Sequence, residues 1–161
     1  MPCKCKHAIP NVPENAEWGP AFWKVLHGLA ECAGKSSNRN QQRDEMALWK
    51  NLLTLLKLVL PCQECREHLT TYCMRVPINL PDKYQDLGPY VRDWLYVLHE
   101  DVNQRLGKPS FPRDQIQPDP DRRQSFAILQ IIAKRAIHVT AVPILTWSRW
   151  ANIVQTLLGM Y

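Results

Sequence analysis

The sequence contains no uninterrupted run of about 18 uncharged apolar residues, so no transmembrane helix is expected. Its most apolar stretch, Phe126 to Leu158, is broken by Lys134, Arg135, Pro143 and Arg149. That stretch reads as core or interface helices. The first residues, Met1-Pro2-Cys3-Lys4-Cys5-Lys6-His7, hold no apolar segment, and no secretory signal peptide is expected. Alternating β-branched runs and hairpin turns are missing, which argues against a sheet. Internal repeats and low-complexity tracts are missing too. Six cysteines in 161 residues are too few for a secreted disulfide scaffold. A strong charge bias is also lacking. The net charge of +5 comes from 20 Lys and Arg scattered among 15 Asp and Glu. It suits an anionic ligand or an acidic partner and does not point to nucleic acid.

The chain is otherwise rich in helical periodicity. Residues 1–15 carry three prolines and no periodic apolar face, and read as an arm. A first helix is expected from near Trp18, with Pro20 in its first turn and Phe22, Leu26, Leu29 and Ala30 inward. A second runs from about Gln42 to Leu60 and is apolar on most faces, as inside a bundle. A third opens at Pro61-Cys62 and runs to about Met74. A fourth spans about Leu87 to Leu106 and ends at Gly107-Lys108-Pro109. Residues 107–120 hold four prolines and read as a loop. Two further helical segments, Asp121–Val142 and Ile144–Leu158, meet at Pro143. The fold class is all-α: a four-helix bundle with additional C-terminal helices.

The strongest chemical signal is Pro61-Cys62-Gln63-Glu64-Cys65. A helix start offers unpaired N–H groups and the positive end of the dipole, and both favour thiolate over thiol. Two-residue spacing also lets the sulfurs close a small, reducible disulfide. Zinc is the alternative, with Cys62, Cys65 and then His68 or His7 as ligands. A structural zinc site wants four ligands, and no second Cys-x-x-Cys exists. Trp23 and His27 share a helix face at i and i+4, as do His99 and Asn103, with Trp94 nearby and Lys108 just beyond. Taken singly, each pair reads as core packing or a polar stripe. The six tryptophans likewise fill a helical core or stack on a flat ligand.

Together these pieces resemble the Erv/ALR family of FAD-linked sulfhydryl oxidases. The matching residues are Gly19-x3-Trp23-x2-Leu26-His27, then Pro61-Cys62-Gln63-Glu64-Cys65, then Trp94-Leu95, and then His99-x2-Val102-Asn103-x2-Leu106-x-Lys108-Pro109-x-Phe111. They cover residues 18–111. The resemblance implies FAD enclosed in the four-helix bundle, with its flavin ring beside the cysteine pair. Catalysis would fall to Cys62, which meets incoming thiols, and to Cys65, next to the ring. Gly19, Trp23, His27, Trp94, His99, Val102, Asn103, Leu106 and Lys108 would bind the cofactor. No metal is implied.

The resemblance further implies oxidation of thiol-containing protein substrates, with electrons passing through FAD to molecular oxygen and giving hydrogen peroxide. Cys3 and Cys5 on the arm would act as a shuttle. Three parts follow: an arm over 1–15, an FAD-binding core over 16–111, and a Pro-rich loop with a helical extension over 112–161. A homodimer is expected, with the apolar face of helices one and two and the C-terminal helices as its interface. The zinc-stabilised interaction module stays as the alternative function.

The chain departs from the family pattern at three places. Glu100 follows His99 where an asparagine is usual. Tyr96 stands where many members carry a cysteine bonded to a C-terminal one, and residues 112–161 do not match the usual C-terminus. The missing staple and missing targeting signal fit the shorter members, including those of large DNA viruses. The expected compartment is the cytoplasm (of a host, or the virion), with the mitochondrial intermembrane space as alternative.

Overall fold

The computed structural model of the protein describes residues 9–161, and the described residues form six α-helices and no strand. The helices are α1 (Asn15–Ala30), α2 (Arg39–Val59), α3 (Gln63–Arg75), α4 (Leu87–Arg105), α5 (Arg122–His138) and α6 (Ile144–Met160). Short 3-10 turns at Tyr84–Asp86 and Arg113–Gln115 precede α4 and follow it. The all-α fold expected from the periodicity is therefore the observed one.

Local signals set most boundaries. Asn38 caps α2, its side-chain oxygen accepting from the N–H groups of Asn40 and Gln41 at 2.9 and 3.2 Å. Gly107 sits at φ +64° just past α4, the left-handed conformation that ends helices on glycine. Two ends differ from expectation. Helix α1 begins three residues before Trp18, so Pro20 lies inside the helix rather than in its first turn. It costs one backbone bond, to the Ala16 carbonyl. Helix α5 stops at His138, and residues 139–143 form a turn in which Thr140 takes φ +60°.

Helix α1 packs against α4 and α5, α2 against α3 and α6, and α5 against α6. The α5–α6 hairpin thus lies over α1 and α2. Aromatic rings make much of that seam. Phe22 of α1 meets Trp150 at a centroid distance of 5.4 Å and Trp147 at 6.3 Å, and Trp18 meets Phe22 edge-on at 5.5 Å. Trp49 of α2 and Trp150 of α6 have no exposed surface. Burial of rings this large dominates core energetics.

The chain end is tied in by a buried carboxylate. Glu45 is 1% exposed and accepts from the Tyr84 and Tyr161 hydroxyls and, at 3.0 Å, from the Gly34 N–H. Trp49 Nε1 donates to the Tyr161 hydroxyl at 2.9 Å. A buried carboxylate is tolerable only with such partners. Gly88, at the start of α4, is a forced small residue. A Cβ there would lie 2.5 Å from the Ala33 carbonyl, so glycine lets α4 approach the end of α1.

Candidate active site

Cys62 is the N-cap of α3, and its sulfur accepts the Cys65 N–H at 3.2 Å. The pair is reduced in this structure. Asn15, at the first residue of α1, reaches both sulfurs through Nδ2, at 3.9 Å to Cys62 and 3.6 Å to Cys65. Its Oδ1 accepts from Trp18 Nε1 at 3.0 Å, which fixes the amide. The two thiols differ sharply. A hydrogen bond from the Cys65 thiol, with help from the Cys65 N–H and Asn15, draws Cys62 down to about 7 against the opposing effect of burial. Donating that bond pushes Cys65 well up, burial adds to the rise, and Arg105 alone pulls it back. The reduced pair shares one proton, held on Cys65, and offers Cys62 as the thiolate.

Access divides them as well. Cys62 is fully buried, whereas Cys65 is 8% exposed and lines a cavity of about 320 Å³. Cys65, His68 and Leu69 of α3 form one side of it. Trp18, Gly19, Phe22, Trp23 and Leu26 of α1, and Leu98, His99, Val102, Asn103 and Arg105 of α4, form others. Leu106, Lys108 and Phe111 complete it beyond α4. The walls are apolar, with a few polar groups converging, as ligand pockets usually are.

Part of the cavity wall is a stack of flat rings. Trp23 and His99 lie 4.0 Å apart and nearly parallel, His99 and Phe111 5.8 Å apart, and Trp23 and His27 5.6 Å apart. His27 Nε2 and His99 Nδ1 are hydrogen-bonded at 3.0 Å. Burial depresses both imidazoles to about 4; the neighbouring ring adds to this at His27, and Lys108 adds to it at His99 against Glu100. Both are neutral near pH 7, so the stack is uncharged.

The loop after α4 is held by Tyr96 and Glu100. The Tyr96 hydroxyl donates to the Phe111 carbonyl at 3.1 Å. Glu100 accepts the Phe111 N–H at 2.8 Å, the Ser110 hydroxyl and, at 3.3 Å, the Asn103 amide. These bonds hold its carboxyl below the usual range. Arg113 pairs with Asp93 and lies 4.4 Å over the Tyr96 ring. Hydrogen bonds thus fasten this loop and place Phe111 beside His99.

Of the residues singled out in the sequence, Cys65, Gly19, Trp23, His99, Val102, Asn103, Leu106 and Lys108 converge on the cavity. His27 stands behind His99 and faces a second depression with Tyr90, Arg92 and Tyr96. Trp94 does not line the cavity. It is 4% exposed and meets Tyr72 edge-on at 5.6 Å in the core. Cys3 and Cys5 lie outside the described residues. Cys32 and Cys73 are free and half-buried. The sequence reading passed over Asn15, Phe22 and Arg105. An asparagine just before the first periodic apolar residue is a helix-start signal that could have drawn attention to Asn15. Nothing local marks Arg105. His68 donates to Asp101 at 2.8 Å, and no group of three potential metal ligands occurs among the described residues.

Comparison with known proteins gives the same direction. The model of the Erv1 / Alr family matches residues 20–121. FAD-linked sulfhydryl oxidase ERV1 of Arabidopsis thaliana is 30% identical over 116 residues, 72% of this chain and 55% of the relative. The mitochondrial FAD-linked sulfhydryl oxidase erv1 of Schizosaccharomyces pombe is 32% identical over 104 residues, 65% of this chain and 53% of the relative. An African swine fever virus FAD-linked sulfhydryl oxidase is 30% identical over 91 residues, 56% of this chain and 69% of the relative. The chain spans about half the length of the two cellular relatives named. No solved structure matches.

Proposed function

The chain belongs to the Erv1 / Alr family, and from that premise we propose that it is an FAD-dependent thiol oxidase working through Cys62 and Cys65. The observation that carries the reading is the Cys65 sulfur in the wall of an apolar cavity that the stacked rings of Trp23, His99 and Phe111 also line. The residues present fit FAD. Trp23, His99 and Phe111 offer a purine a stacking platform, Lys108 offers the diphosphate a cation, and Leu26, Leu69, Leu98 and Val102 offer a tricyclic ring apolar walls beside Cys65. Bound there, the flavin supplies acceptance of an electron pair from a thiolate and its transfer to dioxygen, giving hydrogen peroxide.

The protein's own residues do the rest. Cys62, at the helix start and with the lower pKa, is the interchange sulfur, and Cys65, facing the cavity, is the one that hands electrons on. Exchange proceeds by thiolate attack through a mixed disulfide. Because Cys62 has no exposed surface, a protein thiol reaches it only when the groups around it, Asn15 among them, give way. Asn15 holds the sulfurs in register, and the neutral His27–His99 pair places its rings without charge. Trp94 supports α4 from the core.

Residues 16–111 form the FAD-binding core in this proposal, with Asn15 reaching the sulfurs from just before it, and 112–161 form an extension that covers α1 and α2. Cys3 and Cys5 act as the shuttle to the pair. A second copy of the chain belongs to the proposal, with its contact moved. The α1 and α2 faces meet α5 and α6, and four of the seven exposed large apolar residues among the described ones, Ile128 and Ile131 of α5 and Ile144 and Leu145 of α6, lie on that hairpin, the others being Leu58, Met74 and Val97.

Oxygen consumption with a small dithiol tests the catalytic pair. Cys65→Ser should keep its flavin and lose turnover by a hundredfold or more, while replacing Cys3 and Cys5 with serine should slow a protein substrate more than the dithiol. Full activity in Cys65→Ser would remove the assignment.

A further inference from the structure

Arg105 occupies the last turn of α4, at an unspecified position between Asn103 and Leu106 of the sequence motif. Its Nη2 lies 3.9 Å from the Cys65 sulfur, and its side chain lines the same cavity. The neighbouring charges are engaged elsewhere. Asp101 accepts from Arg75 through Oδ1 at 3.1 Å and from His68 through Oδ2 at 2.8 Å. Among the described residues no carboxylate lies within 4.0 Å of Arg105. Burial and Arg105 keep His68 below its ordinary value, against the pull of Asp101, so it adds no cation here near neutral pH. A guanidinium without a close carboxylate therefore faces one sulfur of the redox pair.

The chemistry gives that contact a use. When a substrate thiolate attacks Cys62 of the oxidised pair, a bond forms between the substrate sulfur and Cys62. The Cys62–Cys65 bond breaks, and its electron pair leaves on Cys65 as a thiolate. No proton moves in this step. Cys62, now in a mixed disulfide, carries no charge and no longer holds a proton on Cys65. Burial alone would then make Cys65 a poor leaving group. We propose that Arg105 is a catalytic residue that stabilises Cys65 as the leaving thiolate during attack on Cys62. Exchange quickens as the leaving thiol's pKa falls, so a cation 3.9 Å from that sulfur acts directly on the rate. The inference rests on the reading of Cys62 and Cys65 as an exchanging pair.

The test uses the purified full-length chain with Cys62→Ala, which removes the Cys62 thiolate charge and its hydrogen bond from beside Cys65, as formation of the mixed disulfide does. Iodoacetamide labelling of the Cys65 peptide, followed by mass spectrometry across pH, reads the Cys65 thiolate alone. Adding Arg105→Gln should raise the midpoint by about half a unit to one unit, a three- to tenfold loss of thiolate at pH below it. Arg105→Lys should restore most of the shift. In the otherwise unaltered chain, Arg105→Gln should slow reduction of the disulfide by a monothiol several-fold. Arg105 is exposed, so these variants are expected to fold, and far-ultraviolet circular dichroism verifies it. Equal midpoints in all three proteins would overturn the proposal, as would a Cys65 that labels at no pH below about 10. The labelling needs no turnover. A failed flavin assay alongside a shifted midpoint would therefore count against the oxidase reading and leave Arg105 in place.

Discussion

At the scale of single residues, the site is a set of groups whose charge is decided by their neighbours. Cys62 is drawn toward the thiolate by the Cys65 thiol, the Cys65 N–H and Asn15. His27 and His99 are neutral because they are buried together. Their depressed values carry a pH dependence whose sign is fixed. Between about 6.5 and 4 the unfolded chain binds protons that the folded chain does not. The stability of the flavin-free protein should therefore be full above pH 6.5 and fall as pH drops toward 4. Replacing both histidines with glutamine should flatten that fall, and urea denaturation at several pH values checks it. Much at this scale was legible in the sequence. The Cys-x-x-Cys spacing, the helical positions of Trp23, His99 and Asn103, and Lys108 just past the α4 stop were readable before the cavity was seen. Asn15 and Arg105 were not legible, because each acts across the bundle on a sulfur 50 or 40 positions away. Trp94, which the resemblance implies as a cofactor contact, packs against Tyr72 in the core and is not among the residues lining the cavity.

At the scale of elements, the loop after α4 is the most consequential piece. Tyr96 and Glu100 hold the loop by hydrogen bonds to Phe111 and Ser110. Glu100→Ala should free the loop, move Phe111 from His99 and raise the flavin dissociation constant by about tenfold, measured by fluorescence titration. Unchanged affinity would show that the stack forms without the loop. Helix boundaries were legible to within a few residues because caps and prolines mark them. The early start of α1 was not, since Pro20 looks like a first-turn residue and only packing shows the helix running past it.

At the scale of the whole molecule, the α5–α6 hairpin reshapes what the core presents. The sequence showed two apolar C-terminal helices and left their destination open, because amphipathic periodicity names a buried face and not its partner. The structure lays them on α1 and α2 and locks Tyr161 to Glu45 and Trp49. Association through the outer hairpin face predicts a dimer by sedimentation velocity at micromolar concentration, converted to monomer by Ile131→Glu together with Leu145→Glu. A monomeric unaltered chain would remove the dimer from the proposal. The account's central claim, electron flow from thiols through Cys62 and Cys65 to a flavin, is tested most directly by the visible absorption spectrum of the purified protein. It is recorded before and after a dithiol is added without air. A yellow flavin band that bleaches on reduction and returns when oxygen is admitted is the predicted result. A colourless protein that takes up no FAD, or a bound flavin that the dithiol leaves oxidised, would contradict it.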